Sequence, residues 1–196
     1  MKLLKTLLAT AVAVSAVPAM AYEAGDIMVK VGAVQVSPKS DPVSVNKAVE
    51  IESDTQLGLT GTYMVTPNVG VEVLAATPFE HKVKAGSDEL ATVKHLPPTI
   101  SAQYYPMDAG SPLQPYVGIG INHTFFFDED GAIPHLEKST GLAYSAGVNY
   151  DLNAEWLVNI AVWKIDIDTE ISGGALDGVE VEIDPTVVFV GAGYKF

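Results

Sequence analysis

The chain has 196 residues, no cysteine, no arginine and a formal charge of −13. An acidic chain without arginine lacks both the positive field and the bidentate groups that nucleic-acid binding needs, and without cysteine it holds no disulfide. After residue 21 no run of eighteen apolar residues occurs, although mean hydropathy is positive. A membrane-spanning helix is thereby excluded, and a membrane protein of this composition has to cross with strands closed into a barrel, which alone satisfies every backbone donor and acceptor in lipid.

Lys2 and Lys5 precede an apolar stretch, Leu7 to Val17, that is too short to span a bilayer, and Ala19-Met20-Ala21 is a small-x-small cleavage site. Residues 1–21 are predicted to be a cleaved secretory signal peptide, and residues 22–196 the exported domain. Loss of Lys2 and Lys5 makes that domain two charges more acidic than the whole chain. From Gln56 onward the residues alternate. Leu57, Leu59, Gly61, Tyr63 and Val65 fall on one face, and Gln56, Gly58, Thr60, Thr62 and Met64 on the other. Thr66-Pro67-Asn68 turns the chain, after which Val69, Val71, Val73 and Ala75 alternate with Gly70, Glu72, Leu74 and Ala76.

The same period predicts eight strands, at about residues 27–37, 50–65, 69–81, 91–105, 115–127, 140–150, 156–170 and 179–196. Short connections at 66–68, 106–114 and 151–155 alternate with longer polar ones at 38–49, 82–90, 128–139 and 171–178. The predicted fold is all-β: an eight-stranded antiparallel transmembrane β-barrel with short periplasmic turns and longer extracellular loops. Tyr63, Tyr104, Tyr150, Trp156, Tyr194 and Phe196 share the apolar face and lie near a short turn or the C-terminus, where a lipid-embedded barrel carries its aromatic girdle. A soluble barrel with its apolar face inward predicts no such clustering at one end.

Six stretches in order resemble the outer membrane protein W family. They are Thr55-Gln-Leu-Gly-Leu-Thr, Leu74-Ala-Ala-Thr-Pro-Phe79, His95-Leu-Pro-Pro-Thr99, Pro115-Tyr-Val-Gly-Ile-Gly-Ile-Asn122, Trp156-Leu-Val-Asn-Ile-Ala-Val-Trp163 and Gly193-Tyr-Lys-Phe196. The resemblance spans nearly all of residues 22–196 and is weakest in the loops at 38–49 and 128–139. It implies an eight-stranded outer-membrane barrel whose narrow apolar lumen passes small hydrophobic molecules. The absence of arginine and a short, acidic third long loop depart from the family pattern. A terminal aromatic such as Phe196 on the lipid face resembles the signal read by the outer-membrane insertion machinery.

Strand parity assigns the lumen independently. Near the short turns the inward positions include Lys30, Glu72, Gln103, Asn149, Asn159 and Lys195, predicted to form a polar plug in which Lys30 and Glu72 pair. Higher up they become Leu74, Ala76, Phe126 and Trp163, which either line a ligand pocket or fill the core, since eight strands leave room for little more than side chains or one small ligand. Pro78, Pro97 and Pro98 fall at similar height on neighbouring strands and cannot donate to the ladder, so they mark either a lateral seam or bulges where the strands leave the membrane.

Other constellations carry less. Asp166, Asp168 and Glu170 share a strand face, and Glu50, Glu52, Asp54, Asp128, Glu129, Asp130, Glu180, Glu182 and Asp184 crowd the long-loop side. Carboxylate clusters suit divalent cations, but no spacing matches a calcium loop, and a solvated repelling rim is the simpler reading. His81, His95, His123 and His135 could serve as bases, with Ser101 or Ser145 as nucleophile, only if the fold assembled a triad, and no local signature points to one. No catalytic residue, metal or cofactor is predicted. The expected partners are outer-membrane lipid, lipopolysaccharide, the insertion machinery and small hydrophobic molecules. The alternative is a structural or adhesive barrel whose loops serve as a receptor for phage, bacteriocin or host.

Overall fold

The structure, a computed structural model, describes residues 22–39, 49–85, 88–131, 135–174 and 177–196. The predicted signal peptide and most of the first long loop lie outside the described residues. Thirteen strands are described: β1 (Ile27–Ser37), β2 (Val49–Ile51), β3 (Asp54–Thr66), β4 (Val69–Ala76), β5 (Phe79–Ala85), β6 (Asp88–Leu96), β7 (Thr99–Tyr104), β8 (Leu113–Gly131), β9 (Ser139–Asp151), β10 (Trp156–Ile165), β11 (Asp168–Glu170), β12 (Glu180–Glu182) and β13 (Thr186–Lys195). End to end they make eight staves: β1, β2 with β3, β4 with β5, β6 with β7, β8, β9, β10 with β11, and β12 with β13.

The ring closes in the order β1-β3-β4-β7-β8-β9-β10-β13, with β13 paired back to β1 and every pair antiparallel. This is the eight-stranded barrel that the alternation predicts. Its outer wall is apolar: Leu57 is 60% and Ile121 59% exposed, and Leu59, Ile100, Ile119, Ile160 and Val190 are exposed beside them. A water-soluble chain does not carry such a band, whereas a lipid-facing wall requires it.

Five predicted strands are subdivided. The second breaks at residues 52–53, the seventh at 166–167 and the eighth at 183–185. The third breaks at Thr77-Pro78 and the fourth at Pro97-Pro98 because proline leaves a gap in the ladder. Across its break the third stave also shifts parity, since Ala76 and Phe79 both belong to the inward side. Two loops are shorter than expected. Strands run on to Ala85, restart at Asp88 and extend to Gly131, which places Asp128, Glu129 and Asp130 on β8 instead of in a loop. The ladder continues there because the outward positions of β5 and β6 are charged and tolerate water. Lys82 and Glu89 pair across them at 2.8 Å.

Candidate functional site

The lower lumen is filled by a buried hydrogen-bond network. Lys30, wholly buried, reaches Glu72 at 2.7 Å. The Thr62 hydroxyl donates to the same carboxylate oxygen at 3.1 Å, and the Gln103 amide to the other at 2.7 Å. Tyr105 donates to Gln103 Oε1 at 2.7 Å. On the opposite wall Asn159 Nδ2 donates to Asn149 Oδ1 at 2.7 Å and to the Tyr116 hydroxyl at 3.1 Å, while Asn149 Nδ2 donates to the Tyr22 hydroxyl at 3.1 Å. Lys195 faces inward over the Tyr22 ring, 4.9 Å from its centroid, and Lys30 lies 5.4 Å from that of Tyr116. All six sequence-predicted plug residues therefore point into one buried layer, and its carboxylate carries three donors, which offsets the cost of taking charge out of water.

Tyr22, Tyr105 and Tyr116 complete this layer and were not predicted. Parity alone puts Tyr105 and Tyr116 on the inward side, in step with Gln103 and Phe126. Tyr116 fits because residue 147 on the neighbouring stave is glycine: a Cβ there would lie 2.5 Å from the Tyr116 ring and hydroxyl. Tyr22 is anchored by its backbone N–H, which donates to Ala109 O at 3.0 Å.

Above the plug the lumen turns apolar. Leu74, Phe126 and Trp163 are buried, Ala76 packs against them, and Val34, Val36, Phe79, Ile165 and Val187 complete the wall. They nearly fill the space. The cavity left beside Leu74, Ala76, Phe79 and Pro97 is about 10 Å³, the room of one water molecule.

That cavity abuts a break in the wall. β4 and β7 pair up to Leu74–Thr99, and β5 and β6 resume at Phe79–His95, so residues 75–78 and 96–98 face each other without a ladder. Successive N–H groups of a strand point to alternate sides. Thr77 donates to Leu57 O of the second stave at 2.9 Å, so the donor missing at Pro78 faces the fourth stave. His123 of the fifth stave donates to Pro98 O at 3.0 Å, so the donor missing at Pro97 faces the third. Both absences fall on the same seam. The Pro97 carbonyl is taken instead by Asn122 Nδ2 at 3.1 Å and the Thr99 hydroxyl at 3.2 Å.

Just above the seam, His81 and His95 meet inside the barrel with Nε2 atoms 2.9 Å apart. Outward neighbours Glu80, Lys82 and Lys94 are charged, so this level stands clear of the lipid. His81 Nδ1 lies 2.6 Å from Glu52 O. A carbonyl only accepts, so His81 Nδ1 carries the hydrogen, its Nε2 accepts, and His95 Nε2 donates. Burial lowers the pKa of both rings, that of His95 to about 3 with His81 adding to the effect. They flank Phe79 and Phe126, with His95 5.4 and 6.0 Å from those ring centroids.

The remaining candidates stay apart. His123 points outward and bonds Thr140 at 2.6 Å, whereas Ser101 and Ser145 are buried on the inner face. His135 pairs with Glu129 at 3.3 Å. Among the described residues no three His, Asp or Glu side chains converge as a metal site. Partial burial, with Asp184 and Glu182 nearby, raises the Asp168 carboxyl, the signature of a mutually repelling rim. The girdle residues lie on the outer wall: Trp156 meets Tyr194 edge-on at 5.1 Å, Tyr194 meets Phe196 at 4.8 Å, and Phe196 is 71% exposed.

The sequence profile of the OmpW family matches residues 23–196. Outer membrane protein W of Escherichia coli (strain K12) is 44% identical over 195 residues, covering 91% of this chain and 92% of that protein. The crystal structure of the outer membrane protein OprG from Pseudomonas aeruginosa superimposes with a TM-score of 0.77 at 42% identity, covering 92% of this chain and 99% of that one. The solid-state NMR structure of outer membrane protein AlkL in DMPC lipid bilayers gives a TM-score of 0.68 at 26% identity, covering 93% and 95%. A protein of that name from Ectopseudomonas oleovorans is 30% identical over 185 residues.

Proposed function

The chain belongs to the OmpW family of outer-membrane β-barrels, and from that premise we propose that it admits small hydrophobic molecules from outside and releases them sideways into the membrane. The plug below denies cargo a straight path to the periplasm, because a molecule passing it would have to separate Lys30 from Glu72 and leave their charges unpaired. Above the plug, apolar walls gain on the order of 25 cal/mol per Å² of apolar surface removed from water, which favours a hydrocarbon over a polar solute. The observation that carries the reading is the juxtaposition of that apolar cavity with residues 75–78 and 96–98, where the wall has no ladder to break. Passage needs Leu74, Phe79 and Trp163 to move, since the resting cavity is small.

The chain has no cysteine, so Ala76→Cys with Pro97→Cys gives a clean site for a short cross-linker across the seam. Liposome uptake of small apolar compounds should fall to the empty-liposome level once the linker is in place and return when it is cleaved. Uptake that persists through the cross-link rules out lateral release. No uptake by the uncross-linked barrel, together with no competitive binding of an apolar fluorophore, favours the structural or receptor reading.

A further inference from the structure

The outer wall carries a second apolar feature that the transport reading does not use. A groove of about 700 Å³, within the range of small-molecule sites, runs over the fourth to sixth staves and is lined by Ile100, Ile119, Ile121, Leu142, Phe125 and His123. Ile100, Ile121 and Leu142 form one outward row across β7, β8 and β9. The row above is Pro98, His123 and Thr140, and above that stand Leu96 and Phe125.

Height along β8 places the groove in the membrane. From Leu113, beside the girdle residue Tyr150, ten residues rising about 3.3 Å each on a strand tilted by about 40° climb roughly 25 Å, the height of a barrel's apolar band. His123 thus stands where the outer leaflet meets water, and the isoleucines lie below it among acyl chains. At the same rim Lys138 holds its ammonium 5.5 Å from the Phe125 ring centroid, and His123 meets that ring edge-on at 4.5 Å.

Lys138 is also set apart by charge. Lys39, Lys82, Lys84 and Lys94 each reach a carboxylate, at 2.6, 2.8, 2.5 and 3.3 Å, and the Lys164 ammonium donates to the Asp184 carbonyl. Among the described residues no carboxylate lies within ion-pair distance of Lys138, although Glu137, Asp168, Glu170, Glu180 and Glu182 share a hollow with it. On so acidic a chain an exposed cation that makes no ion pair among the described residues, held at phosphate height over the Phe125 ring that lines an acyl-sized groove, is a complementary surface for an anionic lipid.

We propose that this groove binds lipid A of the outer leaflet, one acyl chain lying over Ile100, Ile121 and Leu142 and a phosphate meeting Lys138 and the free edge of His123. The site is separate from the lumen and does not depend on cargo passing through it.

The test uses the full refolded barrel in detergent with EDTA present, so that divalent ions cannot bridge phosphate to the acidic rim. Retention of bisphosphorylated lipid A, measured by native mass spectrometry, is compared with that of the same lipid after dephosphorylation. Lipid A should be retained as one copy per barrel, and Lys138→Glu should weaken it roughly tenfold. Lys84→Glu, an equal change of net charge at a lysine away from the groove, should leave it unchanged. Lys138→Gln serves if the Glu variant does not refold, with a smaller loss in the same direction. Equal losses at Lys138 and Lys84, or equal retention of the dephosphorylated lipid, overturn the proposal. Displacement by a plain hydrocarbon as readily as by lipid A also overturns it, and marks the groove as a landing surface for cargo.

Discussion

The lower and upper halves of the lumen solve opposite problems. Below, the interior is polar, its ion pair and the amide donors of Gln103, Asn149 and Asn159 find partners within the protein, and the staves around it stay paired. Above, the interior is apolar, and the wall beside it is open between the third and fourth staves. Polarity inside a narrow barrel therefore does not imply a water path. A network whose donors and acceptors are used on one another is a seal, while an apolar chamber beside missing donors is where the wall yields most readily.

The largest expected effect comes from breaking the seal. Glu72→Ala strands the Lys30 ammonium in a buried layer and should cost about 3–5 kcal/mol in urea unfolding from lipid vesicles, whereas Lys30→Met with Glu72→Leu should be close to neutral. A cost below about 1 kcal/mol for Glu72→Ala would mean that the plug is hydrated and the contrast between the halves is overstated. Gly147→Val comes next. Its side chain collides with Tyr116, so about 1–3 kcal/mol of overpacking is expected, together with ion leakage in planar bilayers and unchanged lateral uptake.

On the upper side, Pro78→Ala with Pro97→Ala restores two donors that face the seam. Thermal stability should rise by about 1 kcal/mol per bond re-formed, and uptake of apolar compounds should slow several-fold. Unchanged uptake separates the seam from the transport path. The smallest effect is a local one of pH. The His95 pKa in the folded chain, about 3, lies below the unfolded value of about 6.5. Stabilisation from the neutral buried ring is therefore full above the unfolded pKa and is lost as pH falls towards the folded one. Between pH 7 and pH 5, the protection factors of amides in β5 and β6, taken relative to the slower intrinsic exchange at lower pH, should fall while those of the plug amides hold. A uniform response across the barrel would argue against a local origin.

Period-two alternation is a property of the strand itself. It was enough to place Leu57, Leu59 and Ile121 outside, Lys30, Glu72 and Trp163 inside, and the girdle aromatics at one end, because neighbouring side chains on a strand must face opposite ways. The prolines were legible for the same reason, since a missing N–H is written into the residue. Parity carries no information about which inward residues meet, nor about where two ladders fall out of step. Lys30 and Glu72, 42 positions apart, could be matched by opposite charge near the short turns, but that Thr62 and Gln103 share the carboxylate follows from the stagger between staves. Tyr116 enters the plug only because residue 147 on another stave is glycine. His81 and His95 touch only because the third stave slips by one residue at Pro78 while the fourth keeps its parity. The sequence by itself determined the barrel, its two faces and the level of its weak point. Register, which depends on pairs of strands and on no single one, decided the seal, the small cavity and the direction in which the wall is open.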